Sequence, residues 1–170
     1  GLSHMATLLI YYAHPNHASS RANRAMSRAA LSIDQITVID LYKTYPHFEI
    51  DVEIEQRRLI EHDYILFQHP FYWYSPPPLI HEWMNQVLLE GFAWGPGGDR
   101  LLGKVMMNVI SAGAPRDAFT PQGYQKHPLR SFLTPLEQTA CICRMQYSAP
   151  YVIYSARSGS AAALAAHVSG

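Results

Sequence analysis

The chain has 170 residues, 48% of them hydrophobic and 15% charged, which is enough to bury a real core and too apolar for a disordered segment. Thirteen Lys and Arg balance thirteen Asp and Glu, so there is no net field to hold DNA, RNA or an anionic lipid surface. No apolar run is long enough to cross a bilayer, and Gly1-Leu2-Ser3-His4 reads as an expression-tag remnant before a native Met5 rather than as a secretory signal.

Thr7 to Ala13 is short, continuous and apolar, the pattern of a strand covered on both faces. Ser19 and Ser20 offer helix caps, and Ala22, Met26, Ala29 and Ala30 follow at helical spacing. Ile36 to Ile39 predicts a second strand, Val52 to His62 a charged helix, and Tyr64 to Gln68 a third strand. Three prolines then introduce a helix from Leu79 to Leu89, since proline is tolerated at a helix start but not inside one. A glycine-rich loop, Gly91 to Gly98, precedes a fourth strand at Val105 to Ile110. A helix near Leu129 to Cys141, a fifth strand at Tyr151 to Tyr154 and a short closing helix at Ser160 to Val168 complete the series. This βαβα alternation, without repeat or linker, predicts a single α/β domain over residues 5–170: a parallel sheet with helices on both faces. Cys141 and Cys143 fit neither a disulfide framework nor a zinc site; both read as core residues in a reduced, cytoplasmic protein.

In an open parallel sheet, ligands gather beyond the carboxyl ends of the strands. Three loops of unusual composition leave strands there. The first, His14 to Asn23, runs from a buried strand into a helix start, where free N–H groups favour an anion; Ser19, Ser20 and Asn23 add hydrogen-bonding side chains. Plain helix capping explains the serines equally well. No GxGxxG or P-loop lysine is present, and His14-x-x-His17 lacks the HExxH pattern of a zinc peptidase, so no metal is expected. The second loop carries four successive aromatics, Phe71, Tyr72, Trp73 and Tyr74, followed by Pro76, Pro77 and Pro78. The stiff turn would hold these rings as a preformed wall for a flat ligand, or as a subunit interface. The third, Ile110-Ser111-Ala112-Gly113-Ala114, is small enough for backbone to approach a ligand closely, though small residues also make ordinary turns.

At these loops the chain resembles the flavodoxin-like NAD(P)H:quinone oxidoreductases. Tyr12-Ala13-His14-Pro15 with Ser20 to Asn23, Gln68-His69-Pro70 with Trp73-Tyr74-Ser75 and Pro77-Pro78-Leu79, and Gly91 to Gly98 with Leu102-Gly103-Lys104 carry the likeness. It is similar above all to the short bacterial branch that includes the ancillary flavoprotein of glutathione-gated potassium efflux. The resemblance implies a flavodoxin-like three-layer sandwich with a five-stranded parallel sheet, acting as a homodimer with flavin at the subunit interface. It implies that His14, Ser20, Arg21, Ala22 and Asn23 hold the flavin phosphate end. Phe71, Tyr72, Trp73 and Tyr74, with Ile110, Ser111, Ala112 and Gly113, would line the ring. The short branch points to FMN, with FAD the alternative.

Tyr72 stands where the family usually has Gln, and Ile110-Ser111-Ala112-Gly113 replaces a Thr-Thr-Gly-Gly pattern. No catalytic acid is assigned; Phe119, Tyr124 and His127 are the candidates nearest the family's Tyr and His. The implied function is flavin-dependent NAD(P)H:quinone oxidoreduction, a ping-pong hydride transfer through flavin N5 with a quinone-like acceptor. The alternative is a regulatory flavoprotein on a membrane potassium-efflux transporter, peripheral at the inner face of the membrane. An electron-carrying flavodoxin fits poorly, because such carriers are usually strongly acidic. NADH and NADPH are not distinguished, Arg116 being the one cation near the site for a 2′-phosphate.

Overall fold

The computed structural model of the protein describes residues 6–15 and 36–155. The helices expected after Ser19 and from Ser160 to Val168, together with Ser20 to Asn23, lie outside these residues.

Five parallel strand positions form the sheet. In chain order the strands are β1 (Leu8–Tyr12), β2 (Ile36–Asp40), β3 (Tyr64–Pro70), β4 (Val105–Ser111), β5 (Gln146–Tyr147) and β6 (Tyr151–Ile153). Their order across the sheet is β2-β1-β3-β4, with β5 and β6 both paired to β4. The strand expected at Tyr151 to Tyr154 is β6, and the two-residue β5 before it was not expected, so the five strand positions carry six strands. Gln146 and Tyr147 pair with Val105 and Met106, and Tyr151 to Ile153 with Val109 to Ser111. Between them stands Ser148-Ala149-Pro150, and Pro150 has no N–H to donate to a ladder.

The helices are α1 (Leu41–Thr44), α2 (Val52–Glu61), α3 (Pro78–Val87) and α4 (Thr134–Ile142). Asp40 caps α1 by accepting from the Lys43 N–H (3.1 Å), and Asp51 caps α2 through the Ile54 N–H (3.1 Å). Pro78 opens α3, where its missing N–H costs nothing. The segment expected as one helix near Leu129 is divided: a 3₁₀ stretch, Leu129–Leu133, precedes α4, which starts with Pro135 in its first turn.

Leu59 of α2, Trp83 and Met84 of α3, and Thr139 of α4 meet Ile65, Phe67 and Met106 on one face of the sheet. Tyr11 stacks on Phe67 (5.4 Å between centroids), and Trp83 crosses both rings. Glu55 is also on this face. The charged pattern of α2 places it in solvent, yet it is fully buried. Its carboxylate accepts from the Tyr11 hydroxyl (2.7 Å), the Tyr45 hydroxyl (2.5 Å) and the Trp83 indole (3.2 Å), and pairs with Arg58. Cys143 is buried as expected, whereas Cys141 is exposed at the end of α4, a correction to its reading as core. Among the described residues, no helix is long and apolar enough to cross a membrane.

Candidate functional site

β1, β3 and β4 run in parallel register, so their carboxyl ends and the loops that follow lie at one edge of the sheet. The loop after β3 is a tight turn. The Tyr72 N–H donates to the Ser75 carbonyl (2.7 Å) and the Ser75 N–H to the Tyr72 carbonyl (3.2 Å). Trp73 and Tyr74, the two residues between, both have positive φ, 50° and 66°. Such two-residue turns normally hold Asn-Gly, because side chains at positive φ are strained. Neither the Trp73 nor the Tyr74 N–H has an acceptor among the described residues. Both remain available to a ligand, and the Trp73 side chain is 92% exposed.

A cleft of about 470 Å³ opens beside this turn. Phe71, Trp73 and Tyr74 form one wall, Ala112 to Ala114 the floor after β4, and Phe119, Tyr124 and Gln125 the far side. Phe132 backs the aromatic wall from the 3₁₀ stretch, with its ring 5.0 Å from Tyr74, 6.4 Å from Phe71 and 6.3 Å from Phe119. The floor is tied to β6 by the Ala112 N–H on the Ile153 carbonyl (2.9 Å) and the Ser155 N–H on the Ala114 carbonyl (3.0 Å). The far side folds back tightly at Gly123, where any Cβ would meet the Ala118 carbonyl oxygen at 2.3 Å.

The second and third loops thus converge as the sequence suggests, but not with every residue. Ile110 is fully buried in the core opposite His69, and Ser111 is the buried last residue of β4; neither lines the cleft. Tyr72 turns to the other side of the ridge made by Trp73. There it lines an open depression of about 660 Å³ with Pro76, His81 and Asn85, its ring edge-on to the buried His14 at 6.3 Å. Of the three residues nearest the family's catalytic positions, Phe119 and Tyr124 face the cleft, while exposed His127 sits behind it, edge-on to Phe132 at 6.0 Å. Arg116 lies over the Tyr154 ring, 4.8 Å from its centroid. Sequence reading missed Phe132, whose aromatic character gave no sign of which side of the 3₁₀ turn it would take.

A second feature lies beneath the turn. His69 is fully buried, with Nδ1 2.9 Å from the Pro70 carbonyl and Nε2 2.9 Å from Asn108 Nδ2. The Tyr147 hydroxyl donates to Asn108 Oδ1 (2.7 Å). Burial pushes the His69 imidazole down to about 4, despite the opposing effect of the Pro70 carbonyl, so it is neutral at pH 7.

Free backbone donors, flat aromatic walls and a floor without bulk suit a planar ring with a polar edge. Residues 5–169 match the flavodoxin-like fold family, and the chain belongs to it. The ancillary protein KefG of the glutathione-regulated potassium-efflux system of Salmonella newport is 45% identical, over 98% of this chain and 91% of its own. Among solved structures, one described as a thermophilic tryptophan halogenase from Streptomycin violaceusniger is 40% identical (TM-score 0.93, 95% and 94% covered). General stress protein 14 of Treponema denticola, in complex with FMN, is 32% identical (TM-score 0.91, 96% and 94%). An NADPH-quinone reductase from P. pentosaceus is 28% identical (TM-score 0.87, 97% and 94%). These four names differ while the frame is common, so the shared frame is what the likeness establishes.

Proposed function

We propose that the chain is a flavin-dependent NAD(P)H:quinone oxidoreductase that carries FMN, with FAD as the alternative, and works as a cytoplasmic homodimer. The observation that carries this reading is the cleft beside the Trp73–Tyr74 turn. Its two free N–H groups point to a ligand with acceptor atoms on a planar edge, and an FMN complex and a quinone reductase are among the related structures. Bound there, a flavin supplies two-electron transfer from a nicotinamide to a quinone.

The protein's part is to bind, orient and exclude water. The Trp73 and Tyr74 N–H groups hold the ring's polar edge, Phe71 and Tyr74 fix its plane, and Ala112 and Gly113 admit it closely. Phe119 and Tyr124 leave room for donor and acceptor to occupy the same space in turn, which is a ping-pong scheme. His14 with Ser20, Arg21, Ala22 and Asn23 receives the phosphate end. The family match from residue 5 supports one domain over residues 5–170.

The test begins with the visible spectrum of the purified protein, heat release of any yellow chromophore and its mass. Steady-state rates with NADH or NADPH against a benzoquinone then give parallel reciprocal plots. A colourless protein that refuses both FMN and FAD overturns the reading, and intersecting plots overturn the shared site. A second reading, a regulatory subunit at the inner face of the membrane on a potassium-efflux transporter, is favoured by the KefG likeness. Co-purification with such a transporter, with little quinone turnover in isolation, would put that role first.

A further inference from the structure

We propose that His69 is a positioning residue: the buried hydrogen-bonded chain His69–Asn108–Tyr147 holds the Pro70 carbonyl and thereby sets the Phe71–Tyr74 turn in its ligand-binding form. The inference rests on the flavin reading for the ligand, but its geometry stands on the fold.

The β1–β3 ladder ends at Tyr12 opposite Gln68, with the Ala13 N–H on the Gln68 carbonyl (2.9 Å). The Pro70 carbonyl lies beyond that end, and the His69 ring supplies it with a donor at 2.9 Å. A carbonyl can only accept, so Nδ1 carries the proton. Nε2 then has a lone pair and accepts from the Asn108 amide N–H; this turns the Asn108 oxygen toward Tyr147, whose hydroxyl donates to it. The acceptor-only Pro70 carbonyl thus fixes the direction of all three bonds.

Register makes the chain possible. His69 and Asn108 are on the same face of adjacent strands, offset by two residues, and Tyr147 pairs alongside Met106 on that face. The outer end is steadied where the Arg130 guanidinium lies over the Tyr147 ring, 5.7 Å from its centroid. Pro70 is the last residue of β3, and the strained pair Trp73 and Tyr74 follows within four residues. Strained backbone persists only where its surroundings over-determine it. A carbonyl pinned at the start of the turn is such a determinant.

Two substitutions separate this role from simple packing. The amide nitrogen of Asn reaches the place of Nδ1, and the amide of Gln reaches the place of Nε2. His69→Asn therefore keeps the donor to Pro70, while His69→Gln keeps only a partner for Asn108. Apoprotein of each is titrated with FMN by quenching of flavin fluorescence, and its thermal midpoint is recorded without flavin. The expected result is FMN affinity at least tenfold weaker in His69→Gln and within about threefold of the parent in His69→Asn. Tyr147→Phe should fall between them. In 5-fluorotryptophan protein the ¹⁹F signal of Trp73 should move in His69→Gln and stay in His69→Asn. Affinity that follows the thermal midpoints instead, equal in Asn and Gln variants, overturns the proposal. If the parent binds no flavin, the flavin reading fails, and the Trp73 signal decides the positioning claim by itself: an unmoved signal in His69→Gln refutes it.

Discussion

Trp73 and Tyr74 are an improbable pair for a two-residue turn. Left-handed backbone costs an ordinary residue about 1–2 kcal/mol, and here two large aromatics occupy it in succession. Tyr74 has Phe132 to pack on, but Trp73 is almost wholly exposed and regains nothing in the described chain. Trp73→Asn should therefore stabilise the apoprotein by about 0.5–1 kcal/mol, raising Tm by about 2 °C, because Asn tolerates this conformation. The same variant should bind flavin or quinone less well. Calorimetry of the apoprotein and a flavin titration read the two effects separately, and a loss of stability would mean that the Trp73 side chain packs after all. His69 makes a second prediction, on pH. Its folded value near 4 lies below the unfolded 6.5, so above 6.5 neither state takes a proton and this group is neutral for stability. As pH falls below 6.5 the unfolded chain protonates first, and stability drops by about 1.4 kcal/mol per pH unit, roughly 3 kcal/mol in all by pH 4. Urea midpoints at pH 7, 5.5 and 4.5 should fall more steeply in the parent than in His69→Asn.

At the level of elements, strands were easier to read than the contents of helices. β1 and most of β3 are buried, and β4 has one buried and one half-buried face, so all three appear as largely apolar runs, each found within two residues of its ends. Pro78 marked the start of α3 by chemistry that needs no tertiary context. Glu55 was illegible for the opposite reason: a carboxylate three residues before Arg58 in a charged helix reads as surface. Its burial depends on Tyr11 from β1, Tyr45 at the end of α1 and Trp83 from α3 arriving together. Both tyrosines are held above their usual range, by burial first and by the neighbouring carboxylate second, Tyr45 up to about 12. One carboxylate thus joins three elements. Glu55→Gln should destabilise by about 3 kcal/mol, because Arg58 keeps its charge without a partner and one tyrosine hydroxyl meets an amide donor. A denaturation midpoint within experimental error of the parent would show the cluster to be dispensable.

For the whole molecule, the alternation of elements was sufficient for a parallel sheet and for the edge at which loops would meet. It was not sufficient for the extra strand β5, since two residues at Gln146 carry no periodicity, nor for the division of labour around the cleft. Tyr72 and Ile110 belong to the converging loops yet do not line the cleft, because a turn and a pleat each send neighbouring side chains to opposite sides. Composition names a loop; only the backbone path decides which of its rings line the cleft. That path leaves the rim open, with Trp73 92% and Tyr124 67% exposed. An open aromatic rim is what a second copy of the chain would cover if the site is completed by dimerisation. Flavin binding only to the native state should raise stability by about 2.7 kcal/mol at a hundredfold excess over Kd, or about 5–10 °C in Tm for a domain of this size. If two chains build each site, that gain must also grow with protein concentration at fixed free FMN. Thermal scans at micromolar and tenfold higher protein read this directly. A flavin-induced rise that ignores protein concentration would mean that one chain, with its rim open, holds the ligand unaided.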